Sequence, residues 1–366
     1  MRRATPSARS VAASRRAPTA SQVAATREVV GWYLSRYYRT EWDPGLLRMF
    51  CDPRWVGAFA VRPELVRQGD PEALFRLLVT VTMFQRRQDA QIMRILRGIP
   101  PEAAEELTTS SRLTALAKGS ACRHARTLES LHEDCDLTKR NGLGVCHANP
   151  RMQCHLKVHT VLLKRYGHFG KMPTSAALVV SGAGSDLGAL RENAFEMTQD
   201  QHERALLLER AVSRIWRVSD KIAAMFLSAL TNPDLGEGLA PWTEGLDWSH
   251  FVVVDSNVDL FLRAIAFRGP WTYAARREFI QALAARVDLR EFRPELHSYN
   301  PRLVQQAMYL FMSIANRRGA VVDCSKTGAT ACARCPLLLK RRCALRVKSM
   351  RAGTRSLKAT QSTLGA

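Results

Sequence analysis

A chain of 366 residues with 46% apolar side chains is long enough for about two domains and can bury a core, which excludes global disorder. No apolar run approaches the roughly 20 residues that a bilayer-spanning helix needs, so we expect no membrane partner. The net charge of +21 is concentrated at the two ends, since residues 1–22 and 324–366 contain many basic residues and no acid. This distribution favours a polyanionic partner, although general surface basicity in an arginine-rich chain is compatible with it.

Residues 1–22 predict a disordered basic arm, because their five arginines are not followed by the apolar segment of a secretory signal. Their composition, rich in Arg, Ser and Ala, also suits an organellar targeting peptide, and that interpretation stays open. We expect a monomeric protein in the cytoplasm, associated with the nucleoid. The chain has nine cysteines, which in a reducing compartment indicate metal binding more than disulfides.

Apolar residues recur at helical spacing through most of the chain, which predicts an all-α fold. No strand series or internal repeat accompanies them. The predicted helices cover 23–40, two segments within 71–98, 155–166, 200–217, 219–230, 271–287 and 301–316. Residues 110–154 break this pattern with a polar segment that we interpret as an insertion.

The insertion is rich in cysteine and histidine and has two interpretations. Mixed Cys and His ligands favour zinc, which predicts an additional zinc site at Cys122, Cys135, Cys146 and Cys154. The spacing of these cysteines contains no C-x-x-C knuckle, which favours a loop with some buried thiols and some polar histidines. Such a loop beside an active site can also contact substrate.

Four cysteines close to the end of the chain have the spacing C-x7-C-x2-C-x7-C: Cys324, Cys332, Cys335 and Cys343. Thiolates this close in sequence can converge on one metal site, and a C-x-x-C turn presents two of them together. Thiolates suit both zinc and an iron–sulfur cluster, so ligand softness does not separate these alternatives. A zinc ribbon usually pairs two C-x-x-C knuckles, whereas this segment has one.

The segment CSKTGATACARCPLLLKRRC resembles the C-terminal C-x6-C-x2-C-x5-C motif of endonuclease III-like enzymes of the helix-hairpin-helix DNA glycosylase superfamily. It has one extra residue in the first gap and two in the last. The resemblance implies that the four cysteines hold a [4Fe–4S] cluster, which folds a basic loop against double-stranded DNA. The matching phosphate contacts are Lys326, Arg334, Lys340, Arg341 and Arg342.

The family's second motif is a hairpin of approximate sequence L-P-G-V-G-x-K-T-A, followed by an aspartate in V-D-T/G-x-V. The residues IWRVSDKIAA place Lys221 on the hairpin lysine, and VVVDSNV places Asp255 on the aspartate. The loop between them is longer than in the family. The hairpin glycines are replaced by Trp216, Val218 and Ser219, so we expect an altered contact with DNA.

This resemblance implies a base-excision chemistry. A lysine desolvated at a helix N-terminus has a lowered pKa, and its neutral amine can attack the sugar C1′ of a flipped nucleotide. The aspartate can stabilise the oxocarbenium charge, and β-elimination then nicks the strand. The segment MFQRRQD resembles the family's S-A-Q-x-T-D, which places Gln85 at the intercalating or pocket position. Ser219, in the hairpin, is a further predicted DNA contact.

The predicted architecture has two helical lobes: a six-helix barrel with the helix-hairpin-helix, and an iron–sulfur domain formed by N- and C-terminal helices. The segments are a disordered basic arm (1–22), N-terminal helices packing with the cluster domain (23–70), the barrel (71–255), the C-terminal helical domain with the cluster loop (256–345) and a basic tail (346–366). The predicted function is a DNA glycosylase with AP-lyase activity on a damaged or mismatched base. The alternatives are a non-catalytic iron–sulfur DNA-binding or damage-sensing protein and an iron–sulfur redox or regulatory protein.

Overall fold

The computed structural model describes residues 17–40, 43, 47–137, 144–165, 167–235, 238–313 and 340–341. All the elements assigned in these ranges are helices and none is a strand, which confirms the all-α prediction. None of these helices is long and apolar enough to cross a membrane.

The α-helices are α1 Ala20–Arg36, α2 Arg48–Cys51, α3 Pro53–Val56, α4 Pro63–Gln68, α5 Pro71–Met83, α6 Asp89–Arg97, α7 Pro101–Thr108, α8 Ser110–Lys118, α9 Leu128–Glu133, α10 His155–Leu162, α11 Lys171–Gly182, α12 Leu187–Met197, α13 Gln201–Ser213, α14 Asp220–Thr231, α15 Ser256–Ala264, α16 Tyr273–Ala284 and α17 Pro301–Met312. Short 3-10 helices cover Gly57–Phe59, Arg123–Ala125, Gly167–Gly170, Trp248–His250 and Leu289–Glu291.

The chain divides into two compact units. Unit 1 combines Met1–Trp42 with Val254–Ala366, and unit 2 is the continuous segment Asp43–Val253. The boundaries drawn from the sequence lie at 70/71 and 255/256. Unit 1 therefore joins the N-terminal helix to the C-terminal helices.

Unit 1 is organised around α17, which packs against α1, α15 and α16. Helix α1 begins at a capping box, in which the Thr19 hydroxyl accepts from the Gln22 amide and the Gln22 side chain accepts from the Thr19 amide. Gln22 also donates through Nε2 to the Ile265 carbonyl oxygen at 3.0 Å. This bond fixes the start of α1 to the residue that follows α15, so α1 and α15 belong to one core.

Unit 2 is built on α5, which packs against α7, α11, α12 and α14. The helix starts sharply because Asp70 caps it through the Ala73 amide at 2.8 Å and Pro71 occupies the first turn. Almost every later residue of α5 is buried, as expected of a helix that is apolar all round and surrounded by other helices. Replacing the fully buried Leu77 with alanine is expected to cost about 2–5 kcal/mol.

Residues 110–154 contain helices, which corrects the interpretation of this segment as irregular. Helices α8 and α9 both pack against α11. Their buried positions are few and are separated by polar residues, so the helical period is weak in the sequence. Three residues of the segment, Ala125, Leu131 and Leu137, form a small separate core with Leu156 of α10.

Candidate functional site

Helices α13 and α14 form a hairpin whose turn covers residues 214–219. The turn is fixed from within, because Ile215 and Val218 are buried and the Val218 amide donates to the Ile215 carbonyl oxygen at 2.9 Å. Arg217 between them has a φ of 65°, in the left-handed region that favours glycine. Counting back from Lys221, the family's hairpin glycines fall on Arg217 and Ser219. This corrects the assignment of those glycines to Trp216 and Val218.

Lys221 lies in the first turn of α14, directly after the hairpin turn. Its side chain is half-buried, and it makes no hydrogen bond or ion pair with any residue that the structure describes. Ser219 is the exposed N-cap of the same helix, and its hydroxyl does not cap it. The α14 N-terminus therefore carries both Ser219 and Lys221.

Asp255 belongs to unit 1, where it is the N-cap of α15. Its Oδ1 accepts hydrogen bonds from the amides of Asn257 at 3.0 Å and Val258 at 2.9 Å. These bonds satisfy two of the free amides at the helix start. The carboxyl group thus has a structural role that is compatible with a chemical one.

Gln85 lies just after α5, in a loop that also belongs to unit 2. Its side chain is folded back, since Nε2 donates to the Thr82 carbonyl oxygen at 2.7 Å. The main-chain oxygen of Gln85 accepts from Nη2 of Arg165 at 2.8 Å. Arg165 therefore holds the backbone of this loop, while the Gln85 side chain is partly exposed.

Arg165 is a cation that the sequence analysis did not single out. It is 4% exposed, and its guanidinium carbon lies 4.3 Å from the centre of the Phe169 ring. Burial, followed by the charges of Arg87 and Arg86, lowers the pKa of Arg165 to about 10. The paired arginines directly after Gln85 are the signal in the sequence that points to this basic region.

Lys171 is a second buried cation, at the start of α11. It is 2% exposed, its Nζ donates to the Cys135 carbonyl oxygen, and it lies 4.5 Å from the centre of the Trp216 ring. Burial is the main cause that lowers the pKa of Lys171 below its ordinary value of 10.5. Lys171 therefore contacts both the insertion, through Cys135, and the hairpin turn, through Trp216.

His132 of α9 joins the same contact between insertion and hairpin. Ser175 Oγ accepts from the Trp216 amide at 2.8 Å and lies 2.8 Å from Nε2 of His132. Burial, followed by the charge of Lys171, lowers the pKa of His132, so the ring is neutral and its Nε2 can accept from the hydroxyl. One serine thus connects α9, α11 and the hairpin turn.

Helix α10 carries two further histidines, one buried and one partly buried. His159 is fully buried, and its neutral ring can donate Nε2–H to Glu106 Oε1 at 3.2 Å. His155 lies against it, with ring centres 5.4 Å apart. Burial lowers the pKa of each histidine to about 4, so both rings are neutral near pH 7.

The four cysteines of the insertion do not have the same surroundings. Burial raises the pKa of Cys135, and the nearby Cys154 and Cys122 act in the same direction. Cys146 instead shares a hydrogen bond with the Asp136 carboxylate and accepts from the Asn149 amide at 3.3 Å. Among the described residues, no three His, Cys, Asp or Glu side chains are grouped so that they could hold a metal ion. The zinc site stays a prediction.

The predicted iron–sulfur ligands lie outside the described residues, as do three of the predicted DNA contacts: Cys324, Cys332, Cys335, Cys343, Lys326, Arg334 and Arg342. Lys340 and Arg341 are described, the first partly exposed and the second exposed. Both side chains can therefore reach a ligand in solvent.

A cavity of about 370 Å³ also lies in unit 2, between α5, α8 and α11. Glu72 on its wall accepts the Ser110 amide at 2.9 Å, which ties α5 to the start of α8. None of the site residues predicted from the sequence lines this cavity.

Comparison with known proteins adds no further assignment. The chain matches no family model, no curated protein and no solved structure.

Proposed function

We propose that this protein is a DNA glycosylase with AP-lyase activity that acts on a flipped, damaged or mismatched base in double-stranded DNA. The observation that supports it most is the position of Lys221, half-buried in the first turn of α14 and directly after the basic hairpin turn. The neutral amine of a lysine is its nucleophilic form, and Lys221 is the residue proposed to supply it. The positive charge at both ends of the chain supports DNA as the partner.

In the proposed reaction, Nζ of Lys221 attacks C1′ of the flipped nucleotide and the glycosidic bond breaks. The base leaves with the bonding electron pair and takes up a proton. Loss of a proton from the nitrogen and opening of the sugar give a Schiff base, and β-elimination of the 3′ phosphate then cleaves the strand. The Asp255 carboxylate is proposed to stabilise the positive charge that develops on the sugar.

Cys324, Cys332, Cys335 and Cys343 are proposed to hold a [4Fe–4S] cluster. The fit rests on the donor set, since four thiolates in one short segment are the usual ligands of such clusters. When bound, the cluster is a structural element that folds the basic segment around it for contact with phosphates. Cys332→Ser is expected to abolish the visible absorption of an iron–sulfur protein, and a colourless wild type that contains zinc contradicts this assignment.

A second candidate function is non-catalytic DNA binding on the same scaffold. The observation that favours it is Arg217, which occupies a left-handed hairpin position where the family has glycine. An arginine adds charge at this position but prevents the closest approach of the backbone to a phosphate. This candidate predicts binding to duplex DNA with no release of base.

The test is strand cleavage on a panel of duplex oligonucleotides, each with one damaged or mismatched base. We expect the wild type to release at least one such base and nick the strand, and Lys221→Gln to bind the same duplex without nicking it. Lys118→Gln, at an exposed lysine of α8, is the matched control and should retain activity. Binding without base release across the whole panel favours the non-catalytic candidate.

A further inference from the structure

Three loops of unit 2 bring arginines close together. Arg86 and Arg87 follow α5, Arg165 follows α10, and Arg217 lies in the hairpin turn; these four residues are named the arginine cluster. After burial, the charges of Arg87 and Arg86 are the causes that lower the pKa of Arg165. Burial and then the charge of Arg86 lower the pKa of Arg217. Arg86 is therefore within electrostatic reach of both other loops.

The backbone of these loops is unusual as well. Within the described part of unit 2, the non-glycine residues with left-handed φ are all basic: Arg86 at 59°, Lys164 at 47° and Arg217 at 65°. A β-carbon makes this conformation unfavourable by about 1–2 kcal/mol. Such strain persists only where the surroundings enforce it, and it is concentrated at ligand sites.

Arg165 fixes the centre of the cluster. It is 4% exposed and donates to the Gln85 carbonyl oxygen, but its Nη1 has no hydrogen-bond partner and it makes no ion pair with a described carboxylate. A buried cation without a counter-ion is unfavourable, and like charges nearby add repulsion. An anion bound at this place relieves both effects.

Arg86 is the member of the cluster best placed to contact that anion. Its side chain is exposed and makes no hydrogen bond or ion pair within the described part of the chain. Guanidinium groups bind phosphate oxygens through paired N–H donors. The exposed position suits a large ligand that passes over the surface better than an enclosed small molecule.

We propose that the arginine cluster binds one backbone phosphate of double-stranded DNA, with Arg86 contacting the phosphate and Arg165 holding the loop from behind. This inference rests on the proposed DNA-binding function and adds a specific contact to it. The composition of the cluster supports DNA over a free anion, because Arg86 directly follows Gln85 and Arg217 lies in the hairpin turn.

The first test is the salt dependence of duplex binding, measured by fluorescence anisotropy. Arg86→Gln is expected to weaken binding about 3–10-fold and to reduce the slope of log K against log salt by about one, the effect of one lost phosphate contact. Arg112→Gln, at an exposed arginine of α8, is the control and should leave both quantities unchanged. An unchanged affinity and slope in Arg86→Gln overturns the proposal.

The second test replaces single phosphates of the duplex with neutral methylphosphonates. One position should weaken the wild type but have no further effect on Arg86→Gln, because the variant has already lost that contact. Additive losses at every position contradict the proposal. Inorganic phosphate is tested separately, as an Arg86-dependent rise in the melting temperature. Phosphate binding of this kind, without any effect of Arg86 on DNA binding, also contradicts the proposal.

These outcomes separate this inference from the proposed function. Failure of the wild type to bind duplex DNA removes the proposed function and the phosphate site together. Base release and nicking by Arg86→Gln, with wild-type affinity and salt slope, removes the phosphate site alone. Arg165→Met tests whether Arg165 holds the loop in place. A folded variant should lose affinity for DNA as Arg86→Gln does. If the variant does not fold, the Arg86 measurements decide.

Discussion

The ammonium group of Lys171 lies 4.5 Å from the centre of the Trp216 ring and donates to the Cys135 carbonyl oxygen. This contact joins the Cys/His-rich insertion to the hairpin turn through one buried charge. Ser175 supports it, since its hydroxyl binds both the Trp216 amide and His132. The insertion is therefore part of the support of the hairpin, and changes in it are expected to affect Lys221 indirectly.

Lys171 should contribute strongly to stability. Lys171→Ala leaves a cavity and an unsatisfied carbonyl oxygen, so we expect the free energy of unfolding to fall by about 2–4 kcal/mol. Lys171→Met keeps most of the packed volume and should cost less. Chemical denaturation measures both, with the exposed Lys118→Ala as control, expected within about 0.5 kcal/mol of wild type. A Lys171→Ala variant as stable as the control contradicts the buried contact.

The two histidines of α10, His155 and His159, predict a loss of stability in acid. Their pKa values in the folded protein, about 4, lie below the ordinary 6.5, so the unfolded chain binds protons first as the pH falls. Their contribution is fully present above pH 6.5 and is lost as the pH falls toward 4, by at most about 3 kcal/mol for each ring. Denaturation curves between these pH values measure it.

The matched comparison for this pH dependence uses His155→Phe and His297→Asn. The first should flatten the stability profile between pH 6.5 and 4, because a titrating ring is removed. The second changes an exposed histidine and is the control substitution. Equal acid sensitivity in wild type and His155→Phe argues against a neutral buried ring.

Replacing Arg217 with glycine should raise the stability of the protein and weaken its binding to DNA. Glycine relieves the left-handed strain at φ 65°, so Arg217→Gly is expected to raise the free energy of unfolding by up to about 1 kcal/mol. The same change removes a positive charge from the hairpin turn and should weaken duplex binding. A variant that is clearly less stable than wild type contradicts the assigned backbone conformation.

Two substitutions of Asp255 separate its role as a helix cap from its proposed role in the reaction. Asp255→Ala removes the cap of α15 and is expected to cost about 1 kcal/mol of stability. Asp255→Asn keeps a capping oxygen and should be nearly as stable as wild type, but it lacks the charge proposed to stabilise the sugar cation. Base release by Asp255→Asn at the wild-type rate removes Asp255 from the proposed chemistry.

The helices could be predicted where apolar residues repeat strongly, as in α5, whose buried stripe includes Leu74, Leu77 and Leu78. Helices α8 and α9 could not, because their few buried residues, such as Leu113 and Leu131, stand among polar neighbours. The caps Asp70 and Asp255 are of a residue type that commonly begins helices, so such starts leave a short signal in the sequence.

The candidate site could be predicted less completely from the sequence. The sequence points to Lys221 by its place in the hairpin motif, but the burial of Arg165 and Lys171 depends on residues distant in the chain. Gln85 is far from Arg165 in sequence, and Cys135 is far from Lys171. No local pattern encodes such contacts, since they arise only when α5, α10 and α11 pack together.

The central claim is that Lys221 forms a covalent bond with the sugar of the target nucleotide. Borohydride reduction during incubation with abasic-site duplex DNA converts the Schiff base into a stable adduct that is visible by gel electrophoresis. We expect the adduct in the wild type and in Lys118→Gln, and none in Lys221→Gln, which should still bind the duplex. An adduct of wild-type yield in Lys221→Gln, or none in a wild type that binds the DNA, contradicts the account.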